Sequence, residues 1–285
     1  MKLSVVVPCY NAEATLGVQL EALVSQQWSE PWEIVFADNR STDRSREIAE
    51  SYRERFPNLR IIDASERQGQ PFALNTGIRA ARGESVALCD ADDEVGAGWV
   101  AAMGEALSRH EFVACRLDTE KLNPAWLHGH EQEKGLQKIW YPPWLPHAGG
   151  GTLGFRKSLF EKIGDFDDAL PYLHDTDFCF RAQMSGYDLT YVPDAVLHVR
   201  GRANLGNHYR QSRNYAEYNV ILAKRYWPEN EPAGRFYDRF LRDWFGLVRN
   251  IGSLRTTRGK YVWIWNYGRQ VGRLKGWLLR GGVPV

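Results

Sequence analysis

The sequence has little cysteine and no long apolar run. A membrane-spanning helix needs about 20 mainly apolar residues, and no run of that length occurs. The four cysteines, Cys9, Cys89, Cys115 and Cys179, form no CxxC pair, so they predict reduced thiols rather than disulfides or a zinc site. Because the first residues lead into a short strand without a signal-peptide pattern, we expect a cytoplasmic protein.

Glycine-rich phosphate loops are also absent. Neither GxGxxG nor GxxxxGK follows the first β-branched run, where Pro8-Cys9-Tyr10-Asn11 stands instead. This argues against a dinucleotide-dependent enzyme and a P-loop NTPase, which hold phosphates with such loops. A phosphate ligand here would therefore need a metal ion for much of its charge compensation.

Charge is balanced over the whole chain but not along it. The net charge is +1, yet residues 1–195 carry 19 Lys and Arg against 30 Asp and Glu, and residues 196–285 carry 17 against 5. The basic part indicates an anionic partner, which could be the acidic part itself, a phosphate-bearing ligand or a membrane surface. Because residues 1–195 are acidic and no nucleic-acid recognition motif is present, nucleic acid is not expected as a partner.

Apolar strands alternate with amphipathic segments in the first 90 residues. Strands are predicted at 3–8, 32–37, 59–63 and 86–89, and Asn11 is expected to cap the first helix. This order predicts a parallel sheet covered by helices on both faces. We expect a nucleotide-binding and catalytic domain over 1–200. A basic, aromatic-rich helical extension is expected over 201–285, with helices around 209–225, 236–248 and 261–279.

Three carboxylates stand together where an apolar strand ends. Asp90, Asp92 and Asp93 follow Val86-Ala87-Leu88-Cys89 directly. Such carboxylates repel one another unless a cation or hydrogen-bond donors compensate. Their oxygens suit Mg²⁺ or Mn²⁺ bridging to phosphate at the carboxyl end of a strand. The alternative is a solvated turn in which an Asp caps the next helix.

Several landmarks together resemble one enzyme family. They are Val5-Val6-Val7-Pro8-Cys9-Tyr10-Asn11, Asp38-Asn39-Arg40-Ser41-Thr42-Asp43, Gly69 with Ala73-Leu74-Asn75-Thr76-Gly77, and Asp90-Ala91-Asp92-Asp93. In order and spacing the chain resembles the inverting family 2 glycosyltransferases. The resemblance implies an α/β GT-A fold, with a Rossmann-like, mixed, mainly parallel sheet flanked by helices. It also implies a nucleotide-sugar donor, most simply a UDP-sugar, and Mn²⁺ or Mg²⁺.

The resemblance also assigns the donor site. It implies that Asp92 binds the metal. Two departures bear on donor preference: Arg40 replaces the usual glycine, and Gln70 and Leu74 stand where many members carry Lys or Arg. The nucleotide-sugar pocket is expected from Pro8, Tyr10, Asn11, Asp38, Asn75, Asp90 and Ala91.

The second half of the family pattern concerns the acceptor and the catalytic base. Gly150 and Gly151 resemble the family's acceptor-facing segment, and a tight turn is the alternative. Asp175 falls on the position of the general base, which must deprotonate a sugar hydroxyl; the alternative is a plain helix N-cap. His174, on the acceptor side, replaces the usual Glu. His198 is either a further metal ligand or a structural histidine.

An irregular connection is expected over 118–148. Its tryptophans, Trp126, Trp140 and Trp144, would either stack on sugar rings or only cover the core. His128 and His130 form an HxH, but no third ligand stands near them, which argues against a metal site.

The leading hypothesis is a glycosyltransferase that extends a glycan or a lipid-linked acceptor in envelope or polysaccharide synthesis. Arginines alternate with aromatic residues in the tail. This pattern suits an amphipathic contact with anionic lipid at the inner face of the membrane. The alternative is that the tail packs on the body or on a second subunit. The alternatives are a sugar nucleotidyltransferase, which should carry a glycine- and arginine-rich loop after the first strand, and a non-catalytic nucleotide-sugar-binding protein.

Overall fold

The computed structural model describes residues 1–127, 136–228 and 231–285. Strands and helices alternate along most of the first 200 residues, and helices follow. The strands are β1 Leu3–Cys9, β2 Trp32–Asp38, β3 Leu59–Asp63, β4 Ser85–Leu88, β5 Glu94–Val95, β6 Phe112–Asp118, β7 Gln137–Lys138, β8 Pro146–His147, β9 Leu153–Arg156 and β10 Thr190–His198. The helices are α1 Leu16–Val24, α2 Ser45–Ser51, α3 Gln70–Ala80, α4 Trp99–Arg109, α5 Lys157–Ile163, α6 His174–Met184, α7 Leu205–Tyr226, α8 Gly234–Arg249 and α9 Thr257–Arg280.

Eight of these strands form one mixed sheet in the order β3-β2-β1-β4-β9-β6-β10-β5. The pairs among β1 to β4 are parallel, as is β6 with β10, whereas β9 and β5 run antiparallel to their neighbours. The carboxyl ends of β1, β2, β4, β6 and β10 therefore meet the amino end of β9 at one edge of the sheet, called here the carboxyl edge. The predicted mixed, mainly parallel sheet flanked by helices is confirmed.

The core has a layer on each face of the sheet. Val5 and Val7 of β1 pack in the layer that contains Leu20 of α1, whereas Val6 packs in the layer that contains Leu74 and Ile78 of α3 and α6 residues. Because helices cover both faces, β1, β2 and β4 are buried along their whole length. This explains their continuous apolar sequences.

Backbone contacts divide the described chain into two units. The first contains residues 1–123, 136–137 and 146–200. The second contains residues 124–127 and 138–145 and the described part of 201–285, including α7, α8 and α9. The three helices expected beyond residue 200 are therefore confirmed. None of the helices described is both long and apolar enough to span a bilayer.

The first helix cap expected from the sequence is wrong. Helix α1 begins at Leu16, after Thr15, and not at Asn11. Instead Asn11 has a left-handed φ of 49°. Its Oδ1 accepts a hydrogen bond from the Thr42 backbone N–H at 2.8 Å, and its own N–H donates to Ser41 Oγ at 3.1 Å. The loop after β1 is thereby bound to the loop after β2.

Candidate active site

Side chains predicted for the donor pocket lie at the carboxyl edge. Pro8 is buried near the end of β1, and Tyr10, just beyond it, is 51 % exposed. The last residue of β1, Cys9, is in register with Asp38 of β2. The Asp38 carboxylate is buried, accepts a hydrogen bond from the Ser41 N–H at 3.2 Å, and is held in place by it. An aromatic ring open to solvent thus stands near a fixed carboxylate.

The acidic cluster follows β4 at the same edge. Asp90, Asp92 and Asp93 each place a carboxylate oxygen within 4.8 Å of the others. Asp92 is exposed, whereas Asp93 is buried. Burial, together with the charges of Asp90 and Asp92, raises the pKa of Asp93 to about 9. Three converging carboxylates are a donor set that fits a hard divalent cation.

Neighbouring elements fix the backbone of this acidic loop. The buried Gln19 of α1 donates from Nε2 to the Asp90 carbonyl at 2.8 Å and accepts from the Val95 N–H at 3.0 Å. From the segment after β10, the Arg200 N–H donates to Asp93 Oδ1 at 2.9 Å, and Arg200 Nε donates to the Asp92 carbonyl at 3.1 Å. Both sides of the loop are therefore anchored.

The sequence did not predict that Gln19 and Arg200 anchor the acidic loop. A signal for Gln19 was present, because it occupies the buried face of α1 together with Leu16, Leu20 and Leu23. A polar residue on an apolar helix face must find buried partners. No local signal identified Arg200, whose contacts are made across the sheet edge.

A glycine turn joins the acidic cluster to the predicted base. The Gly150 N–H donates to Asp175 Oδ2 at 2.8 Å. A Cβ placed on the next residue, Gly151, would lie 2.8 Å from Asp90 Oδ2. Two adjacent residues of one turn therefore lie next to Asp90 and Asp175, so this turn brings the acidic cluster and the predicted base to neighbouring positions.

Asp175 does not cap its helix. Helix α6 begins at His174, and the cap position is taken by Leu173, which has a left-handed φ of 61°. Asp175 Oδ1 accepts a hydrogen bond from the Thr176 N–H at 2.7 Å. With Gly150 on its other oxygen, the carboxylate is oriented by two backbone donors and remains partly exposed. Non-glycine residues in the left-handed conformation of Leu173 are strained, and such residues are concentrated at functional sites.

The residues after Asp175 stabilise the start of α6. Asp177 is fully buried and accepts a hydrogen bond from Arg181 Nε at 2.8 Å, as the i, i+4 spacing predicts. His174 is 4 % exposed, and burial lowers its pKa. The structure therefore favours a neutral imidazole at this position at pH 7.

Asn75 lies beneath the site rather than in it. It is 2 % exposed, and its Oδ1 accepts from the Phe166 N–H at 3.0 Å. Its Nδ2 donates to the Phe166 carbonyl at 2.9 Å and to Asp168 Oδ1 at 3.2 Å. Both ends of the amide are engaged by the 166–168 loop, so the geometry gives Asn75 a supporting role in place of the expected ligand contact.

His198 and Ala91 also contact other parts of the protein. The His198 Nδ1 pairs with the Asp118 carboxylate, and among the residues described His198 does not join the group of three carboxylates. Ala91 is buried, and its carbonyl accepts a hydrogen bond from Thr15 Oγ1 at 3.4 Å. Both lie at the carboxyl edge, where they support strands and loops of the site.

The two departures from the family pattern have clear structural consequences. Arg40 adopts a φ of 68°, the left-handed conformation that glycine takes easily, and its guanidinium donates to the Ser65 and Glu66 carbonyls. Gln70 Nε2 donates to Asp90 Oδ1 at 2.9 Å. A neutral amide therefore contacts Asp90 where many members have a cation.

Two of the three tryptophans pack within the second unit. Trp126 forms an edge contact with Tyr261, and Trp140 packs against Phe236. Their packing matches the core-covering alternative, while Trp144 is 45 % exposed. His128 and His130 of the HxH lie outside the described residues.

The chain is similar in sequence to known proteins. Residues 4–164, more than half of the chain, match the model of Glycosyl transferase family 2. The chain belongs to glycosyltransferase family 2. The chain is 34 % identical over 190 residues to the uncharacterized glycosyltransferase EpsJ of Bacillus subtilis, covering 61 % of this chain and 54 % of EpsJ. It is 26 % identical over 197 residues to the glycosyltransferase AglE of Haloferax volcanii, covering 68 % and 65 %. The chain thus spans less than two thirds of these relatives.

Solved structures share the fold. The mannosyltransferase PcManGT from Pyrobaculum calidifontis, in complex with GDP-Man and Mn²⁺, superposes with a TM-score of 0.68 at 20 % identity, covering 96 % of this chain and 86 % of PcManGT. S. aureus TarS 1-349 in complex with UDP gives a TM-score of 0.57 at 16 % identity, covering 96 % and 91 %. The predicted GT-A fold is confirmed.

Proposed function

We propose that this protein is a metal-dependent, inverting glycosyltransferase that moves a sugar from a nucleotide-sugar, a UDP-sugar in the simplest case, to a hydroxyl of a glycan or a lipid-linked acceptor. The observation that carries the proposal is the glycine turn that holds Asp90 and Asp175 on its two sides. This arrangement supports a site in which an acidic group on the phosphate side and a candidate base act on the same donor. The reaction would take place in the cytoplasm or at the inner face of the cell membrane.

The donor nucleotide would bind at the carboxyl edge. Tyr10 offers an exposed ring for the base, and Asp38 offers a carboxylate already oriented by Ser41. Asp90 is partly exposed and would contact the ribose. The names of similar proteins are consistent with this assignment, since PcManGT is described with GDP-Man and TarS with UDP.

Asp92, with Asp90 and Asp93 beside it, would hold Mn²⁺ or Mg²⁺. The bound cation would stabilise the negative charge that develops on the departing diphosphate. Asp93 would mainly position the acidic loop, because it is buried and its carboxylate accepts a hydrogen bond from the Arg200 N–H. His198 is left out of this ligand set, because among the described residues it does not join the group of three carboxylates.

Asp175 would act as the general base. The acceptor hydroxyl oxygen attacks the anomeric carbon of the donor sugar, and its proton passes to the Asp175 carboxylate. The bond between the anomeric carbon and the diphosphate oxygen breaks at the same time, and the electron pair leaves with the nucleoside diphosphate. Attack opposite the leaving group inverts the anomeric configuration. A positioned base of this kind contributes about 10²–10⁴-fold.

The test separates donor binding from transfer. UDP should raise the melting temperature more with Mn²⁺ than without it, and Asp92→Ala should abolish the metal-dependent part. Asp175→Asn should keep that UDP and Mn²⁺ response but lose transfer. Asp194→Asn is the matched control, because Asp194 is an exposed carboxylate on β10 outside the site, and it should behave as the wild type. Normal transfer by Asp175→Asn would remove Asp175 as the base.

A further inference from the structure

Helix α8 in the second unit has two apolar faces. Phe236, Phe240 and Leu247 are buried and form the inward face. A second set points to solvent: Leu241, Phe245 and Val248 of α8 and Ile251 just after it, which are 65 %, 71 %, 69 % and 59 % exposed. This set is called here the α8 patch. Its members contribute little to folding, because their surface stays in water.

The patch is a continuous stripe on the helix. At about 100° per residue, Leu241 and Val248 lie within about 60° of Phe245 around the helix axis, whereas the buried Phe240 and Leu247 lie about 140–160° away. Ile251 extends the stripe into the 3₁₀ turn Ile251–Arg255. Large apolar side chains in one row at the surface are typical of an interaction site, whereas isolated exposed apolar residues are common on any protein.

Arginines border the patch. Arg242 and Arg249 lie within about 60° of Phe245 on its other side, and Arg255 and Arg258 follow in the turn and at the start of α9. All four are exposed, and none has a carboxylate within ion-pair distance among the described residues. The acidic residue on this side is Asp238, two turns before Phe245. The border is therefore strongly positive.

We propose that the α8 patch inserts into the headgroup region of an anionic lipid bilayer. Apolar side chains that enter the acyl boundary, bordered by cations that meet lipid phosphates, define an interfacial helix. A second copy of the chain fits less well, because it would bring the same excess of positive charge to the contact. This inference rests on the proposed function in one respect: a lipid-linked acceptor gives the protein a reason to bind a membrane.

The structure changes which residues make the contact. The tail tryptophans that the sequence suggests for the headgroup zone are largely engaged inside the second unit: Trp244 packs on Phe240 and Tyr267, Trp263 on Tyr267, Trp265 on His208 and Trp277 on Tyr237. The proposed surface instead uses aliphatic residues and Phe245. The membrane affinity of a helix with a basic polar side and a narrow apolar side depends on anionic lipid as well as on insertion of the apolar side chains.

The test is flotation of the 285-residue chain with vesicles of phosphatidylcholine alone and of phosphatidylcholine with phosphatidylglycerol. The wild type should float with the anionic vesicles and much less with the neutral ones. Phe245→Ser together with Val248→Ser should lower partitioning at least tenfold. Arg242→Gln together with Arg249→Gln should lower it by about 30-fold, since each arginine is worth roughly fivefold.

The control is Met184→Ser, which removes a 63 % exposed apolar side chain from the first unit and should leave flotation unchanged. Wild-type protein that floats with neither vesicle, or a Phe245 and Val248 variant that floats like the wild type, would overturn the proposal. So would a dimer in sedimentation that the same variant dissociates. The UDP and Mn²⁺ thermal response should be equal in all variants, so loss of flotation and loss of the proposed chemistry are separately visible.

Discussion

Gly151 is the position where a single methyl group should disturb the site most directly. The Cβ of Gly151→Ala would lie 2.8 Å from Asp90 Oδ2 and 3.1 Å from Asp90 Cγ. An ordinary contact begins near 3.4 Å, so the carboxylate must move by roughly 0.6 Å. Asp90 is partly exposed and can move outward, so the loss of folding stability should be near the low end of the about 1–3 kcal/mol typical of overpacking.

Function should suffer more than stability. A displacement of about 1 Å at a reacting centre can cost about 10²-fold, and a shift of this size should therefore lower kcat/KM for transfer by about tenfold or more. The Gln70 hydrogen bond to Asp90 Oδ1 would be strained as well. The measurements are initial rates at varied nucleotide-sugar concentration and the melting temperature with UDP and Mn²⁺.

Gly150→Ala is the matched control within the same turn. Its Cβ would be 3.7 Å from Asp175 Cβ and 3.8 Å from Asp175 Oδ2, which is ordinary contact. Neither glycine has a positive φ, so alanine is conformationally allowed at both. Gly150→Ala should keep the UDP and Mn²⁺ response that Gly151→Ala weakens. Equal responses in the two variants would refute the claim that Gly151 positions Asp90.

Three further predictions concern stability. Gly272→Ala places a Cβ 2.1 Å from the Arg213 carbonyl oxygen of α7. This variant should lower the free energy of unfolding by about 3 kcal/mol or more, measured by urea unfolding followed by circular dichroism. The control is Gly246→Ala on α8, whose Cβ meets nothing within 4 Å and which should raise the free energy of unfolding by about 0.5–1 kcal/mol. Asn75→Ala leaves buried backbone groups of the 166–168 loop without partners and should cost about 2–3 kcal/mol in the same assay; wild-type stability would contradict the supporting role. Burial lowers the folded-state pKa of His174 below 6.5, so the unfolded chain takes up the proton first and stability falls as pH drops below about 6.5. The decrease in melting temperature from pH 7 to pH 5 should be smaller in His174→Gln, and an unchanged slope would show that His174 is not buried as a neutral ring.

Local patterns were sufficient for the fold. Short β-branched runs such as those around Val6 and Val35 have to be buried on both sides, because a continuous apolar strand has no polar face to expose. Alternation with amphipathic helices then restricts the sheet to a mainly parallel one. The three helices expected in the tail are also present, as α7, α8 and α9. Helix caps were less reliable, since Asn11 could satisfy donors of a neighbouring loop as well as those of its own helix.

The roles of individual residues depended on the tertiary structure. Asn75 and His198 are polar residues at the expected positions in the sequence, yet one is enclosed by the 166–168 loop and the other is paired with Asp118. Arg200 reaches the acidic loop although more than 100 residues separate them. Whether a side chain faces a ligand or the protein interior depends on partners that are remote along the chain, and no local pattern encodes them.

The sequence by itself determined the alternation of strands and helices, the acidic strand end after Cys89 and the basic character of the tail, because periodicity and charge are local properties. Only the tertiary structure brought Gly150 next to Asp175 and Gly151 next to Asp90. Only it packed the tail tryptophans against other rings of the second unit and left Phe245 exposed. The physical reason is that burial is shared among all elements of a unit. Which apolar face of α8 is covered is therefore decided by the packing of α8 with its neighbours and not by α8 alone.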